Sequence, residues 1–497
     1  MTTTAPRAEA PPAPGRRRTA LAALVAGLLA AALTAAGSWR PSMWFDEAAT
    51  ASAVRRSPGE LLELVGTVDV VHAVHYALTG AWAALAGTSP LALRLPSAVA
   101  VGAATAGVLV LGRLLAAPER AARTGVVAAA CFVLLPRVTW MATEARSYAL
   151  SAALVTWWTV ALVLAARRGG RWWLLWAGLG TASVLVFLHS ALVLAAHAVT
   201  APALARRVPR GLVAGSVPVV AATLVLGAVA AGQYGQVAWL PEIGPATLRL
   251  LALDQFFYGA PALAVLAWGL AAAGALLALR GAVRGRAGDG AVLAVALPWL
   301  VLPPLLLVVA SVLHEPLYYP RYVGATAGAL ALLLALALTA APGRWTAAAG
   351  AGVLAALAAP AFVEQRTATA TAKQASDWAL VAEHVETTAR EGDAVVWGPL
   401  DVFPADTRAI AVAYPGAFAG LADPTLAVPA TGTGTLWATT SDVAAATGEL
   451  ADADRVLAVR AHGEPLRPDE VDALARAGFT PATRWQGPST HVVVLTR

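Results

Sequence analysis

Apolar residues run almost without interruption along most of the chain, in blocks close to the roughly 20 residues that an α-helix needs to cross a bilayer. Such blocks fall at 19–38, 95–115, 124–141, 148–166, 172–189, 190–205, 211–231, 261–280, 291–313, 323–341 and 344–362. They predict a polytopic α-helical membrane protein with about eleven transmembrane helices. Arginines punctuate the blocks: Arg113, Arg120 and Arg123, then Arg167, Arg168 and Arg171, then Arg206, Arg207 and Arg210, then Arg280, Arg284 and Arg286, and finally Arg344. These clusters occupy alternate connections, as the positive-inside rule requires of cytoplasmic loops. The alternation holds only if residues 69–86, "DVVHAVHYALTGAWAALA", do not cross. They are predicted to lie on the outer leaflet as an amphipathic helix capped by Asp69.

The same pattern divides the chain. Residues 1–18, rich in proline and ending in Arg16, Arg17 and Arg18, read as a disordered cytoplasmic arm. Residues 19–38 read as a start-transfer helix, because the apolar run is long and lacks a convincing Ala-x-Ala exit before Trp39. The membrane part extends over 19–363. Its outward connections are 39–94, 142–147, 232–260 and 314–322, and these carry polar and aromatic groups where the inner ones carry little but arginine. From Glu364 the patterning becomes that of a soluble domain. Trp378, Val381, Val385 and Ala389 recur at helical spacing before Gly392, "RPDEVDALARAG" reads as a second helix, and "DAVVWG", "RVLAVR" and "HVVVLTR" read as strands. Residues 364–497 are therefore predicted to form an extracytoplasmic α/β domain, with the N-terminus in the cytoplasm and the whole in a bacterial plasma membrane.

Composition agrees: 58% hydrophobic residues, 13% charged and a mean hydropathy of +0.66 exclude an ordinary soluble chain. The net charge of +6 does not point to nucleic acid, since the arginines are dispersed between apolar blocks. A single cysteine, Cys131, excludes an intrachain disulfide. No Walker loop and no His-Glu-x-x-His or Cys-x-x-Cys spacing occurs.

Candidate chemistry concentrates on the outward loops. In "MWFDEAAT" (43–50), Asp46 and Glu47 follow the first apolar block. Asp46 suits either the cap of a short surface helix or a general base held at the membrane surface, and the two roles are compatible. Asp46 together with Glu144 of "ATEARS" could also hold a divalent cation, for which hard oxygen ligands favour Mg²⁺ or Mn²⁺. Arg146 and Tyr148 adjoin Glu144, and the planar fork of Arg146 suits a phosphate, or else snorkels to the interface. "YYPRY" (318–322) sets Arg321 beside Tyr318 and Tyr319, as an anionic-headgroup clamp with aromatic faces or as an interfacial belt. His72 and Tyr76 break the apolarity of the surface helix and are candidate substrate contacts. His189 and His197 read as packing residues.

The set "WFDEAAT", "DVVHAVHYAL", "LALRLPSA", "PRVTWMATEARSYAL" and "YYPRYV" resembles the GT-C superfamily of polyprenyl-phosphate-sugar-dependent glycosyltransferases. It is most similar to the branch that holds protein O-mannosyltransferases, aminoarabinose transferases and actinobacterial mannosyltransferase-like proteins. The family's usual His-Pro-Pro-Leu-Tyr on the surface helix is replaced by "VHAVHYAL", without either proline. The resemblance implies a GT-C fold with surface helices in the catalytic first outer loop. It implies Asp46 as base with Glu47 beside it, Glu144 as a second acid and Arg321 on the donor phosphate. The implied activity is inverting transfer of mannose or another hexose or pentose from a polyprenyl-phosphate donor to an extracytoplasmic hydroxyl on a glycan, lipid or protein. A lipid-linked sugar transporter, or a membrane-anchored envelope assembly protein, is the alternative reading.

Overall fold

The computed structural model describes residues 14–284, 287–341, 343–367, 373–400 and 406–497. Most of the expected N-terminal arm, and Arg286, lie outside these residues. The first helix begins at Pro14 and runs to Ala35, so Arg16, Arg17 and Arg18 belong to it rather than to an arm. Among the described residues nine helices are long and apolar enough to cross a membrane, which makes this a multi-pass membrane protein.

The count falls short of eleven for two local reasons. Pro136 has no N–H to continue the helix Ala121–Leu134, and the residue before it turns extended, so the chain bends by 68° into the short helix Pro136–Ala142. Counted as one broken span, this pair makes ten. The block expected at 172–189 forms a helix of 15 residues, Trp172–Val186, because Phe187 adopts an extended conformation (φ −157°, ψ 109°). Residues Leu188–Leu192 then wind as a 3-10 turn into the helix Val193–Ala205.

Close helix packing uses the small residues. Gly27 and Gly102 meet where the first helix crosses Pro90–Leu115, and a Cβ at Gly102 would lie 2.5 Å from the Gly27 carbonyl oxygen. Small faces of this kind let membrane helices approach without an apolar driving force.

The connection 39–94 folds into three helices, Phe45–Ala53, Pro58–Thr67 and Ala73–Ala86. Two expected caps do not form. Asp46 lies inside the first turn of its helix, where Trp44 is the capping position, and it makes no cap hydrogen bond. Asp69 sits in the left-handed region (φ 58°) and its carboxylate accepts a hydrogen bond from the Tyr76 hydroxyl at 2.5 Å instead. Ser57 does cap its helix: its hydroxyl accepts from the Glu60 amide while the Glu60 carboxylate accepts from the Ser57 amide.

Beyond the last membrane helix, Arg344–Thr367, lies the mixed α/β region. Strands β1 (Ala394–Trp397), β2 (Leu426–Val428), β3 (Thr439–Thr440), β4 (Arg455–Ala461), β5 (Thr480–Gln486) and β6 (Thr490–Thr496) form two sheets. The larger has the order β1-β4-β6-β5, with β1 parallel to β4 and the other pairs antiparallel. β2 and β3 pair separately. The β5 segment "TPATRWQ" is largely exposed and polar, which is why its sequence carries no strand signal of the buried kind.

This region is not an appended module. One apolar core joins Met43, Ala48 and Ala51 of the first loop to Trp378, Val381, Ile410, Phe418 and Val492 of the α/β region. Hydrogen bonds knit the same seam. The Met43 amide donates to the Tyr414 hydroxyl at 2.7 Å, the Ser52 hydroxyl to the Leu436 carbonyl at 2.6 Å, and Arg56 to the carbonyls of Ala430 and Thr435. Arg56→Ala is expected to cost about 1–3 kcal/mol through loss of its charged hydrogen bonds to two partly buried carbonyls, read as a lowered unfolding midpoint in detergent or nanodiscs.

Candidate active site

The site is built where the first-loop helix Phe45–Ala53, the loop 143–147, the short helix Pro136–Ala142 and the 3-10 turn Pro320–Thr326 converge. Adjacent helical residues point about 100° apart, and this separates the two neighbouring carboxylates. Glu47 turns inward and is fully buried. Its Oε1 accepts from Arg94 Nε at 2.7 Å and from the Ala145 amide at 3.0 Å, and its Oε2 from Arg94 Nη2 at 2.5 Å. Arg94 spends its remaining donors on the carbonyls of Ser38, Pro41 and Ser42. Glu47, expected among the catalytic acids, thus ties the first loop to "LALRLPSA" and to the Glu144 loop through both of its oxygens.

Asp46 turns the other way, toward Arg321 and Arg146. Its side chain is 15% exposed, with Arg321 Nη2 at 3.2 Å and Arg146 Nε at 4.0 Å from Oδ2. Arg146 is held from behind: its Nη1 donates to the Tyr76 hydroxyl at 2.8 Å, and Tyr76 donates in turn to Asp69. Arg321 is caged by aromatic rings, with Trp44, Tyr148, Trp239, Tyr319 and Tyr322 centroids 4.8–5.9 Å from its guanidinium carbon. Ring faces stabilise the cation without occupying its N–H groups, and Nε has no hydrogen-bond partner among the described residues.

Glu144 is fully buried, and neither carboxyl oxygen has a hydrogen-bond partner among the described residues. The loop that carries it is fixed through its backbone. Ser97 Oγ donates to the Glu144 carbonyl at 2.6 Å, and Thr50 Oγ1 to the Ala145 carbonyl at 2.8 Å. Burial pushes the Glu144 carboxyl up to about 7, against the pull of Lys373 and Arg321.

Of the remaining expected residues, His72 is buried with Nδ1 3.3 Å from the Ser147 hydroxyl, and burial with the nearby Arg146 charge holds its imidazole neutral, well below its usual range. Tyr148 and Tyr319 line the Arg321 cage. Tyr318 does not: like Glu47 it points away from its neighbour's direction, donating to Gln255 Oε1 at 3.1 Å inside a separate apolar cluster. Tyr76 reaches the cleft only through Arg146 and Asp69. His197 is a packing residue between Thr159 and Trp176, while His189 stacks on Tyr322 at the edge of the cage.

Sequence reasoning missed Arg94, Arg137, Trp44 and Lys373. Arg94 had a signal, as the one charged residue between Asp69 and Arg113. Arg137 donates to the Asp254 carbonyl and lies 4.9 Å over the Trp140 ring, so it links the broken helix to the loop 232–260. The signal for Lys373 is that it is the only lysine in the chain. Its side chain is 2% exposed and its Nζ lies 4.5 Å from the Trp140 ring centroid.

Among the described residues no three His, Cys, Asp or Glu side chains gather where they could hold a metal, and Arg321 and Arg146 already flank Asp46, the first of the two carboxylates expected to bind it.

The sequence matches no protein-family model and no curated protein. The structure is similar to two crystal structures of ArnT from Cupriavidus metallidurans. One is bound to undecaprenyl phosphate (TM-score 0.55) and the other is in the apo state (TM-score 0.53); each is 15% identical, over 97% of this chain and 98% of that one. The chain therefore has the ArnT-like GT-C fold, including the small C-terminal sheet region.

Proposed function

We propose that this protein is an inverting glycosyltransferase that moves a sugar from a polyprenyl-phosphate donor to an acceptor hydroxyl on the outer side of the membrane. The observation that carries the reading is the pairing of Asp46 with Arg321 in the mouth of the aromatic cage. A guanidinium with unspent donors suits a phosphodiester, and a carboxylate beside it suits an acceptor proton. The undecaprenyl phosphate bound by a protein of the same fold supports this choice of donor.

In this reading the donor phosphate arrives at Arg321 and takes over the charge that Asp46 otherwise balances. Asp46, released from its ion pair, accepts the proton of the attacking hydroxyl. The lipid phosphate departs as an anion stabilised by Arg321 and Arg146, so no acid is needed to protonate it. One displacement at the anomeric carbon inverts its configuration. Mannose, or another hexose or pentose, is the sugar proposed, and a glycan, lipid or protein hydroxyl the acceptor. The arginine alternation supports a cytoplasmic N-terminus and an α/β domain outside.

The phosphate assignment is tested by undecaprenyl phosphate binding to protein in nanodiscs. Arg321→Met is expected to weaken it about 10- to 100-fold, the worth of a charge-assisted pair, with uncharged undecaprenol binding unaltered. Equal affinity for the phosphate in both proteins would remove Arg321 from the donor site. A second expectation concerns pH. Glu144 in the folded protein is protonated below about pH 7 and ionised above it, so if its carboxylate orders the acceptor, kcat/KM rises with pH through that region. Glu144→Gln should flatten this limb, and a limb that persists in the variant would assign it to another group.

A further inference from the structure

Lys373 is set at the start of the segment leading into the α/β region, yet its side chain is buried against Trp140 in the membrane part. Its ammonium has no hydrogen-bond partner among the described residues, and neither has either oxygen of Glu144, which lies within its electrostatic reach. No ion pair of 4.0 Å or less joins the two. Buried polar atoms left in this state cost stability, and a ligand that bonds to both relieves that cost.

An ammonium offers only donors, and an ionised carboxylate only acceptors. A hydroxyl is the small group that accepts from the first and donates to the second at once. Glu144 also feels the charges of Arg321, Asp46 and Glu47, so a hydroxyl held at it lies within the electrostatic reach of the Asp46–Arg321 pair. We propose that Lys373 and Glu144 together form the acceptor-hydroxyl subsite, so that the segment entering the α/β region completes the active centre. The assignment rests on the transferase reading and gives it an acceptor side opposite the phosphate side at Arg321.

The segment is fixed firmly enough to do this. Ser376 Oγ donates to the Met43 carbonyl at 2.6 Å, the Ala379 amide donates to Ser42 Oγ at 3.0 Å, and the Asp377 carboxylate accepts from the amides of Ser489 and Thr490 at 2.8 and 2.9 Å. Lys373 is thereby tied to the loop that bears Asp46 and to the sheet through β6. The use of lysine where every other fixed cation is arginine fits a compact ammonium with rotatable donors in place of a planar fork.

The test uses full-length protein in nanodiscs and three hydroxyl probes: methyl mannoside, methyl arabinoside and N-acetylthreonine methylamide. Probe binding by saturation-transfer NMR is read beside undecaprenyl phosphate affinity and thermal midpoint. Lys373→Met and Glu144→Gln are each expected to weaken the best probe about tenfold or more while undecaprenyl phosphate affinity stays within about twofold, less than the effect of one charged hydrogen bond. The thermal midpoint of Lys373→Met should not fall, since the substitution removes a buried charge without a direct partner. Probe affinity unchanged in Lys373→Met, no probe bound by the wild type, or undecaprenyl phosphate affinity lost in parallel would each overturn the subsite. If probe binding depends on both residues but no polyprenyl-phosphate sugar is ever cleaved, the subsite stands and the transferase reading alone falls.

Discussion

Asp46→Asn is expected to lower sugar transfer about 100- to 10,000-fold, the usual contribution of a positioned general base, without loss of fold. The substitution keeps shape and removes only the charge and basicity of one carboxyl that is partly open to the cleft. Arg321 then loses the anion 3.2 Å from its Nη2 and is left with its ring cage. Undecaprenyl phosphate should therefore bind the variant at least as tightly as it binds the wild type, because the phosphate no longer competes with Asp46 for the guanidinium. Tighter binding with lost turnover separates a base from a residue that merely shapes the site. A variant that turns over at the wild-type rate would leave Asp46 as a counterion for Arg321 and nothing more.

The residue next to it should behave in the opposite manner. Glu47→Gln, or Arg94→Met, is expected to destabilise the protein by about 3–5 kcal/mol, because either change leaves a fully buried charge without its partner. The loss is read as a drop in unfolding midpoint and in yield of folded protein. Replacing both residues by apolar ones often restores stability at a buried ion pair, but not here. Arg94 also donates to the Ser38, Pro41 and Ser42 carbonyls, and Glu47 also accepts from the Ala145 amide. The double variant would strand four backbone groups in the interior, and should remain well below the wild type.

Much of this architecture is written in the periodicity of the chain. Nine of the eleven apolar blocks form membrane-length helices among the described residues, and the broken span is marked by Pro136. What the sequence withholds is direction. Asp46 and Glu47 are equivalent carboxylates on paper, and so are Tyr318 and Tyr319 as aromatics, yet one of each pair faces the cleft and the other the packing. Neighbours on a helix or a turn diverge by angles that depend on which face the surrounding helices cover, and one sequence does not state that face. Lys373 illustrates a second limit. It approaches Glu144 only because the α/β region shares a core with the first loop, a long-range contact with no local signature. Its singularity in an arginine-rich chain was visible, but without the fold it had no neighbours to explain it.

The central claim is that the Asp46–Arg321 cleft performs a single inverting displacement on a polyprenyl-phosphate sugar. The most direct measurement is NMR of the anomeric centre when purified wild-type protein in nanodiscs is given undecaprenyl phosphate mannose or arabinose together with a cell-envelope acceptor fraction. Cleavage of the donor with inverted configuration in the product is the predicted result. A product of retained configuration would contradict the one-step mechanism, and a donor that is bound but never cleaved would contradict the enzyme itself and favour a carrier of lipid-linked sugars.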